Sequence, residues 1–127
     1  MPSARDLMDA TPSLIKLLGK GRPTALIAFN DEFARDRYDW CKIAGIRIPR
    51  DLSIVSFDNM PANLYVSTVD FGFSRLGYQT AHIFIGDIPI SDDRHGAIPG
   101  ICTLVDRGSI GTPGDPTDLE RILQSAR

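Results

Sequence analysis

The sequence predicts an α/β fold, a parallel sheet with helices laid against it as part of a three-layer α/β/α arrangement. Three observations predict it. Thr24-Ala25-Leu26-Ile27-Ala28-Phe29 is a near-continuous apolar run, the pattern of a strand buried on both faces. Ser53-Ile54-Val55-Ser56-Phe57 is a second such run. Between them lies a helical segment from Glu32 to Ala44, with Phe33, Trp40 and Ala44 on one stripe and Gly45 as its stop. Strand, helix and strand joined by short loops call for a right-handed parallel crossover.

The remaining elements follow in order. Ser3 to Leu18 reads as a helix with Leu7, Leu14, Ile15 and Leu18 on one side, interrupted at Thr11-Pro12. Gly19-Lys20-Gly21-Arg22-Pro23 ends it. Asn30 and Asp31, directly after the first strand, are N-cap candidates for the next helix. After Asp58-Asn59 the chain enters a loop over 59–66, with Tyr65 expected to be exposed. Ser67 to Phe71 forms a short third strand. Phe73 to Ile85 forms a helix with Leu76, Thr80, Ile83 and Phe84 turned inward. Residues 86–100 are a Pro-, Gly- and Asp-rich connection, Ile101 to Val105 is the last strand, and Arg107-Gly108-Ser109-Ile110-Gly111 leaves it. From Thr112 the chain is linker-like, with a small helix over 118–124.

Composition bounds the function. With 127 residues, 43% hydrophobic and 24% charged, the chain suits one soluble domain with a real core. No run approaches the roughly 18 apolar residues of a membrane span, and no basic-then-apolar leader opens the chain, so either a cytoplasmic location or a start inside a longer parent is expected. A formal net charge of −2 and mixed runs such as Arg35-Asp36-Arg37 argue against a DNA-reading surface. Cys41 and Cys102 lack metal-ligand spacing and are expected as reduced, buried thiols.

Six signals then stand in one order. They are Pro23-Thr24-Ala25, Asn30-Asp31, Ala44-Gly45, Ile48-Pro49-Arg50-Asp51 with Ser53-Ile54-Val55-Ser56-Phe57-Asp58-Asn59, Ser67-Thr68-Val69 before Leu76-Gly77, and Leu104-Val105-Asp106-Arg107-Gly108-Ser109. This order resembles the C-terminal part of the effector-binding core of LacI/GalR-type transcriptional regulators, over residues 12–111. The resemblance implies a type I periplasmic-binding-protein-like fold, with residues 1–111 forming the C-terminal subdomain portion and 112–127 a tail. It also implies a small-molecule effector, a sugar above all, and no enzyme activity, no cofactor and no metal. DNA would be reached only through an N-terminal domain absent from this chain, and a homodimer or higher self-association is expected. Two alternatives remain: a sugar-binding protein of a transport system, or a truncated oligomerisation piece with no ligand.

Asn30 and Asp58 stand at C-terminal strand ends, where open α/β sheets bind ligands. Planar carboxylates and carboxamides suit sugar hydroxyls, because they accept and donate hydrogen bonds in a fixed plane. On chemistry alone, helix capping and turn formation are their commoner uses. The resemblance assigns Asn30 and Asp58 to the effector and leaves Asp31 as a cap or local structural partner.

Three departures from the family pattern matter. Phe71 occupies a position that often carries Gln or another polar residue. It either stacks on a sugar ring or fills the hinge, and it is taken as a third ligand-binding candidate. Tyr65-Val66 runs straight into Ser67-Thr68-Val69, so a Ser-Pro-Pro-Leu-like stretch is missing. The helix after Asn30 carries Arg35, Asp36, Arg37 and Asp39, either a solvated face or a salt-bridged subunit contact. Elsewhere, Gly19-Lys20-Gly21 lacks the spacing of a phosphate loop. His82 reads as structural, and Asp92, Asp93 and His95 read as a solvated, charge-mixed loop ahead of a metal site.

Overall fold

The structure is a computed structural model that describes residues 23–87 and 100–113. The expected helices over 3–18 and 118–124 lie outside those residues, as do Asp92, Asp93 and His95. Six elements are seen: β1 (Ala25–Ile27), α1 (Asp31–Ile43), β2 (Ser53–Phe57), β3 (Ser67–Asp70), α2 (Phe73–Ile85) and β4 (Thr103–Val105). The four strands form one sheet in the order β1-β2-β3-β4.

β1 and β2 pair in parallel with Ala25 opposite Ser53, and β2 and β3 in parallel with Val55 opposite Ser67. β4 runs antiparallel to β3, Asp70 facing Thr103. The all-parallel expectation is therefore corrected at the last strand. The reason lies in the excursion through α2. The chain leaves β3 at Phe71-Gly72 and returns at Gly100-Ile101 by the same end of the sheet. A Cβ on Gly72 would lie only 3.6 Å from the Ile101 carbonyl oxygen. A chain that exits and re-enters at one end must reverse direction.

α1 begins where its sequence says it should. The Asn30 side-chain oxygen accepts the Phe33 N–H at 2.9 Å, and Asp31 and Glu32 place negative charge at the positive end of the helix dipole. Gly45, at φ +77°, lets the chain turn off the last turn. Ala34, Trp40 and Cys41 face β2 and join Ala28, Ile46, Leu52, Ile54 and Val66 in the core.

Two burial expectations fail for a shared reason. β1 is not buried on both faces: Ile27 and the following Phe29 are 69% and 70% exposed. α2 has no buried residue, with Leu76 and Thr80 exposed, Phe84 91% exposed and Ile83 half-buried. Apolar periodicity marks a face that could be covered, and the described elements do not cover these faces. Cys102 is also exposed, correcting the expectation of two buried thiols, while Cys41 is buried; both are free.

The Arg107-Gly108-Ser109 segment has a structural task. Gly108, at φ +81°, turns the chain after β4 so that Ser109 lies beside the start of β2. There the Ser109 carbonyl accepts the Ile54 N–H at 2.9 Å, and the Ser109 hydroxyl donates to the Ile54 carbonyl at 2.6 Å. The same hydroxyl accepts the Ser67 N–H at 2.7 Å. Asp106 accepts from the Ser67 hydroxyl at 2.9 Å and from the Gly108 N–H at 2.8 Å. The Ser109 bonds satisfy buried polar groups of Ser67 and Ser109 that burial would otherwise penalise by about 1–3 kcal/mol each.

Candidate functional site: a cleft at the strand ends

β1 and β2 deliver their C-terminal ends side by side, and a cleft of about 310 Å³ opens there. It is lined by Asn30, Asp31, Glu32, Arg35, Asp58, Met60, Ala62 and Asn63. Two of the three sequence-predicted site residues, Asn30 and Asp58, are thereby brought to one cavity. Phe71 does not line it. Its ring stacks on Phe57 at 5.8 Å and 9°, and tilts against Phe73 at 5.7 Å. Phe71 instead borders a smaller hollow of about 40 Å³ with Gly72, Arg75, Leu76, Gln79, Gly100 and Ile101.

Asp31 forms the floor. It is 2% exposed, and its carboxylate accepts from the Ser56 hydroxyl, from the Met60 N–H at 2.6 Å and from the Asn63 side-chain amide at 2.8 Å. Asn63, itself 3% exposed, also closes a ring with the backbone of Val66. One carboxylate thus pins the N-terminus of α1, strand β2 and the 58–66 loop together. That is the local structural role expected of Asp31.

Asp58 differs. It sits at φ +95° and Asn59 at φ +51°, a left-handed turn that Asp and Asn tolerate better than most residues. The Asp58 N–H is held by the Val69 carbonyl at 3.0 Å, yet its carboxylate has no hydrogen-bond partner among the described residues. Asn30 spends its oxygen on the helix cap and keeps its NH2 group uncommitted. The cleft therefore presents an unpartnered carboxylate acceptor and an amide donor anchored through its helix cap.

Glu32, Arg35, Met60, Ala62 and Asn63 were not among the predicted site residues. Arg35 was weighed only as part of a charged helix face. It lines the cleft one helical turn after Asp31, 3.9 Å from Asp36, while Arg37 lies over the Phe33 ring at 4.2 Å. The helical spacing of Arg35 from Asp31 could have found it. Met60, Ala62 and Asn63 carry no periodic signal in a loop. No group of three His, Cys, Asp or Glu residues able to hold a metal ion occurs among the described residues.

Residues 2–110 match the model of the periplasmic binding protein-like domain. The chain belongs to that family. Within it, this periplasmic binding protein-like chain corresponds to part of the effector-binding core of LacI-type regulators. It is 29% identical over 115 residues to the HTH-type transcriptional regulator GalR of Salmonella typhimurium, covering 84% of this chain and 33% of that protein. It is 27% identical over 105 residues to the transcriptional repressor PurR of Aliivibrio fischeri, covering 80% and 31%. The chain thus spans about a third of the length of these relatives.

The fold agrees. A LacI-type transcription regulator from Bifidobacterium animalis superposes with a TM-score of 0.61 at 25% identity, over 84% of this chain and 39% of that one. A LacI family regulator from Lactobacillus casei, solved with bound sucrose, gives a TM-score of 0.61 at 21% identity, over 85% and 41%. No helix among the described residues is long and apolar enough to cross a membrane.

Proposed function

We propose that this chain is the effector-sensing part of a LacI/GalR-type transcriptional regulator, and that its cleft takes a small polyhydroxylated molecule, a sugar. The observation that carries the reading is the pairing of the unpartnered Asp58 carboxylate and the uncommitted Asn30 amide in one cavity of about 310 Å³. That size sits at the small end of ligand pockets, which run from about 300 to 1,000 Å³. A vicinal diol presents both a donor and an acceptor, and Asp58 and Asn30 offer their complements. Sucrose bound to the Lactobacillus casei regulator supports a sugar as the ligand class.

Phe71 belongs to the proposal as an apolar element of the same sheet end, since it directly follows β3 as Asp58 follows β2. Recognition is non-covalent and no catalytic step is assigned. The regulator acts in the cytoplasm, and operator DNA is contacted by a helix-turn-helix elsewhere in the whole protein. Among the described elements, α1 and α2 are separated by two strands and do not form such a motif. The matched relatives are transcriptional regulators, which favours this reading over a transport protein.

The test is a thermal-shift screen of mono- and disaccharides against the chain, followed by calorimetry on the hit. Asp58→Ala is expected to weaken binding at least ten-fold, the loss of one charged hydrogen bond worth about 1.5–3 kcal/mol. Unchanged affinity removes Asp58 from the site.

A further inference from the structure

Asp58 lines the cleft, and the next residue, Asn59, makes a different set of contacts. The Asn59 side-chain NH2 donates to Asp70 Oδ2 at 2.9 Å, and its oxygen accepts from Arg107 Nη2 at 2.6 Å. Arg107 also donates through Nη1 to the Val66 carbonyl at 3.2 Å. The second oxygen of Asp70 accepts the Gly72 N–H at 2.7 Å. Gly72, at φ +65°, is the residue from which α2 starts, and no side chain caps that helix.

We propose that Asn59 is a positioning residue that couples the cleft residue Asp58 to the Asp70–Gly72 turn, and through it to the direction of α2. Three physical features support the coupling. Asp58 and Asn59 share consecutive positive-φ conformations, so moving one peptide displaces the other. The Asn59 carboxamide joins two oppositely charged side chains, Asp70 and Arg107, and its loss leaves both without their shared partner. α2 has no buried residue, so among the described contacts its direction is set at its root, by the Asp70–Gly72 hydrogen bond and by the Phe73 ring against Phe71. A small change at Asp70 and Gly72 is therefore levered along 13 helical residues. Binding that shifts Asp58 would thus be reported as a change in α2. The ligand end of this coupling rests on the effector reading above; the Asn59–Asp70–Gly72 relay does not.

The test needs no ligand. Amide hydrogen exchange is measured by NMR on the full chain for wild type, Asn59→Asp, and the double variant Asn59→Asp with Asp70→Asn. Asn59→Asp sets two carboxylates against each other, and exchange at Gly72 is expected to rise about ten-fold with the core amide of Ile54 unchanged. In the double variant, Asp at 59 accepts from both Arg107 and the new amide at 70, whose oxygen still accepts from Gly72. Exchange at Gly72 is expected to return to the wild-type rate. If Asn59→Asp alone fails to fold, a folded double variant with wild-type exchange at Gly72 gives the same answer. Unaltered exchange at Gly72 in Asn59→Asp, or a double variant no better than the single, overturns the relay. A third arm adds Asp58→Gly, expected to alter Gly72 exchange in the wild-type background and not in Asn59→Asp. An effect of equal size in both backgrounds removes the coupling to the cleft. Sugar binding is read separately, so its failure would count against the effector reading alone.

Discussion

The Asp31 carboxylate and the Asn63 carboxamide, 32 residues apart in sequence, meet at 2.8 Å with both side chains buried. They join the start of α1 to the loop that walls the cleft. Asp31→Ala would take the acceptor from the buried Ser56 hydroxyl, which keeps only a 3.5 Å approach to the Ser67 carbonyl, from one N–H of the buried Asn63 amide, and from the part-buried Met60 N–H. At about 1–3 kcal/mol for each orphaned donor, Asp31→Ala is expected to lower unfolding free energy by about 3 kcal/mol or more, read from urea denaturation. Asn63→Ala should cost less, because Ser56 and Met60 N–H keep their acceptor. Equal, near-zero effects would mean that the cluster does not hold the loop.

Acid stability should depend on Asp51. Arg47 donates to its two oxygens at 2.7 and 2.6 Å, and the Arg47 N–H adds a bond at 2.8 Å. The Arg47 side-chain hydrogen bond holds the Asp51 carboxyl below its ordinary range, against the opposing effect of burial. A carboxyl whose folded pKa is depressed stabilises the fold above its unfolded pKa of about 3.9 and loses that contribution as pH falls through the folded value. Asp70 and Asp106, lowered chiefly by the Gly72 and Gly108 N–H groups, act with the same sign. Unfolding free energy should therefore fall as pH drops below about 4, and Asp51→Asn should flatten that fall. An acid limb of the same steepness in Asp51→Asn would contradict the assignment.

The two thiols should separate cleanly. Burial pushes the Cys41 thiol up to about 12, against a smaller lowering by Arg37, whereas Cys102 is exposed. Thiolate is the reactive species, so Ellman's reagent at pH 8 should titrate one thiol in the native chain and two in denaturant. Two fast thiols in the native chain would show that α1 does not stay packed on β2.

The uncovered apolar surface should drive association. Ile27, Phe29, Phe73, Tyr78, Phe84 and Ile85 are all more than half exposed. Exposed apolar patches beyond about 300–600 Å² commonly mark interaction sites. The chain is expected to self-associate in light scattering and to bind a hydrophobic dye, with Phe84→Glu reducing both and leaving the urea midpoint in place. A dye-silent monomer would contradict the exposure of these faces.

Much of this was legible in the sequence, for identifiable reasons. The β1–α1–β2 unit was readable because apolar runs, an Asx pair and a Gly stop are local signals, and Asn30 caps α1 where expected. The direction of β4 was not, since alternation along a strand says nothing about which way it runs. Exposure of Ile27 and Phe84 was not legible either, because a side chain's apolarity fixes its preference and leaves its neighbours unspecified. In the site, the strand ends made Asn30 and Asp58 candidates, and the resemblance assigned them to the effector. Asn63 could not, because its partner Asp31 is distant in sequence and its loop has no period. Ser109 was part of a recognised motif, yet its place beside Ile54 emerges only once Gly108 turns the chain.

The most direct measurement of the central claim is an NMR titration of the labelled chain with the sugar that gives the largest thermal shift. The earliest and largest amide shifts are expected at Asn30, Glu32, Asp58 and Met60, and should vanish in Asp58→Ala at the same sugar concentration. Shifts confined to residues away from the β1 and β2 strand ends, or unchanged by Asp58→Ala, would contradict it.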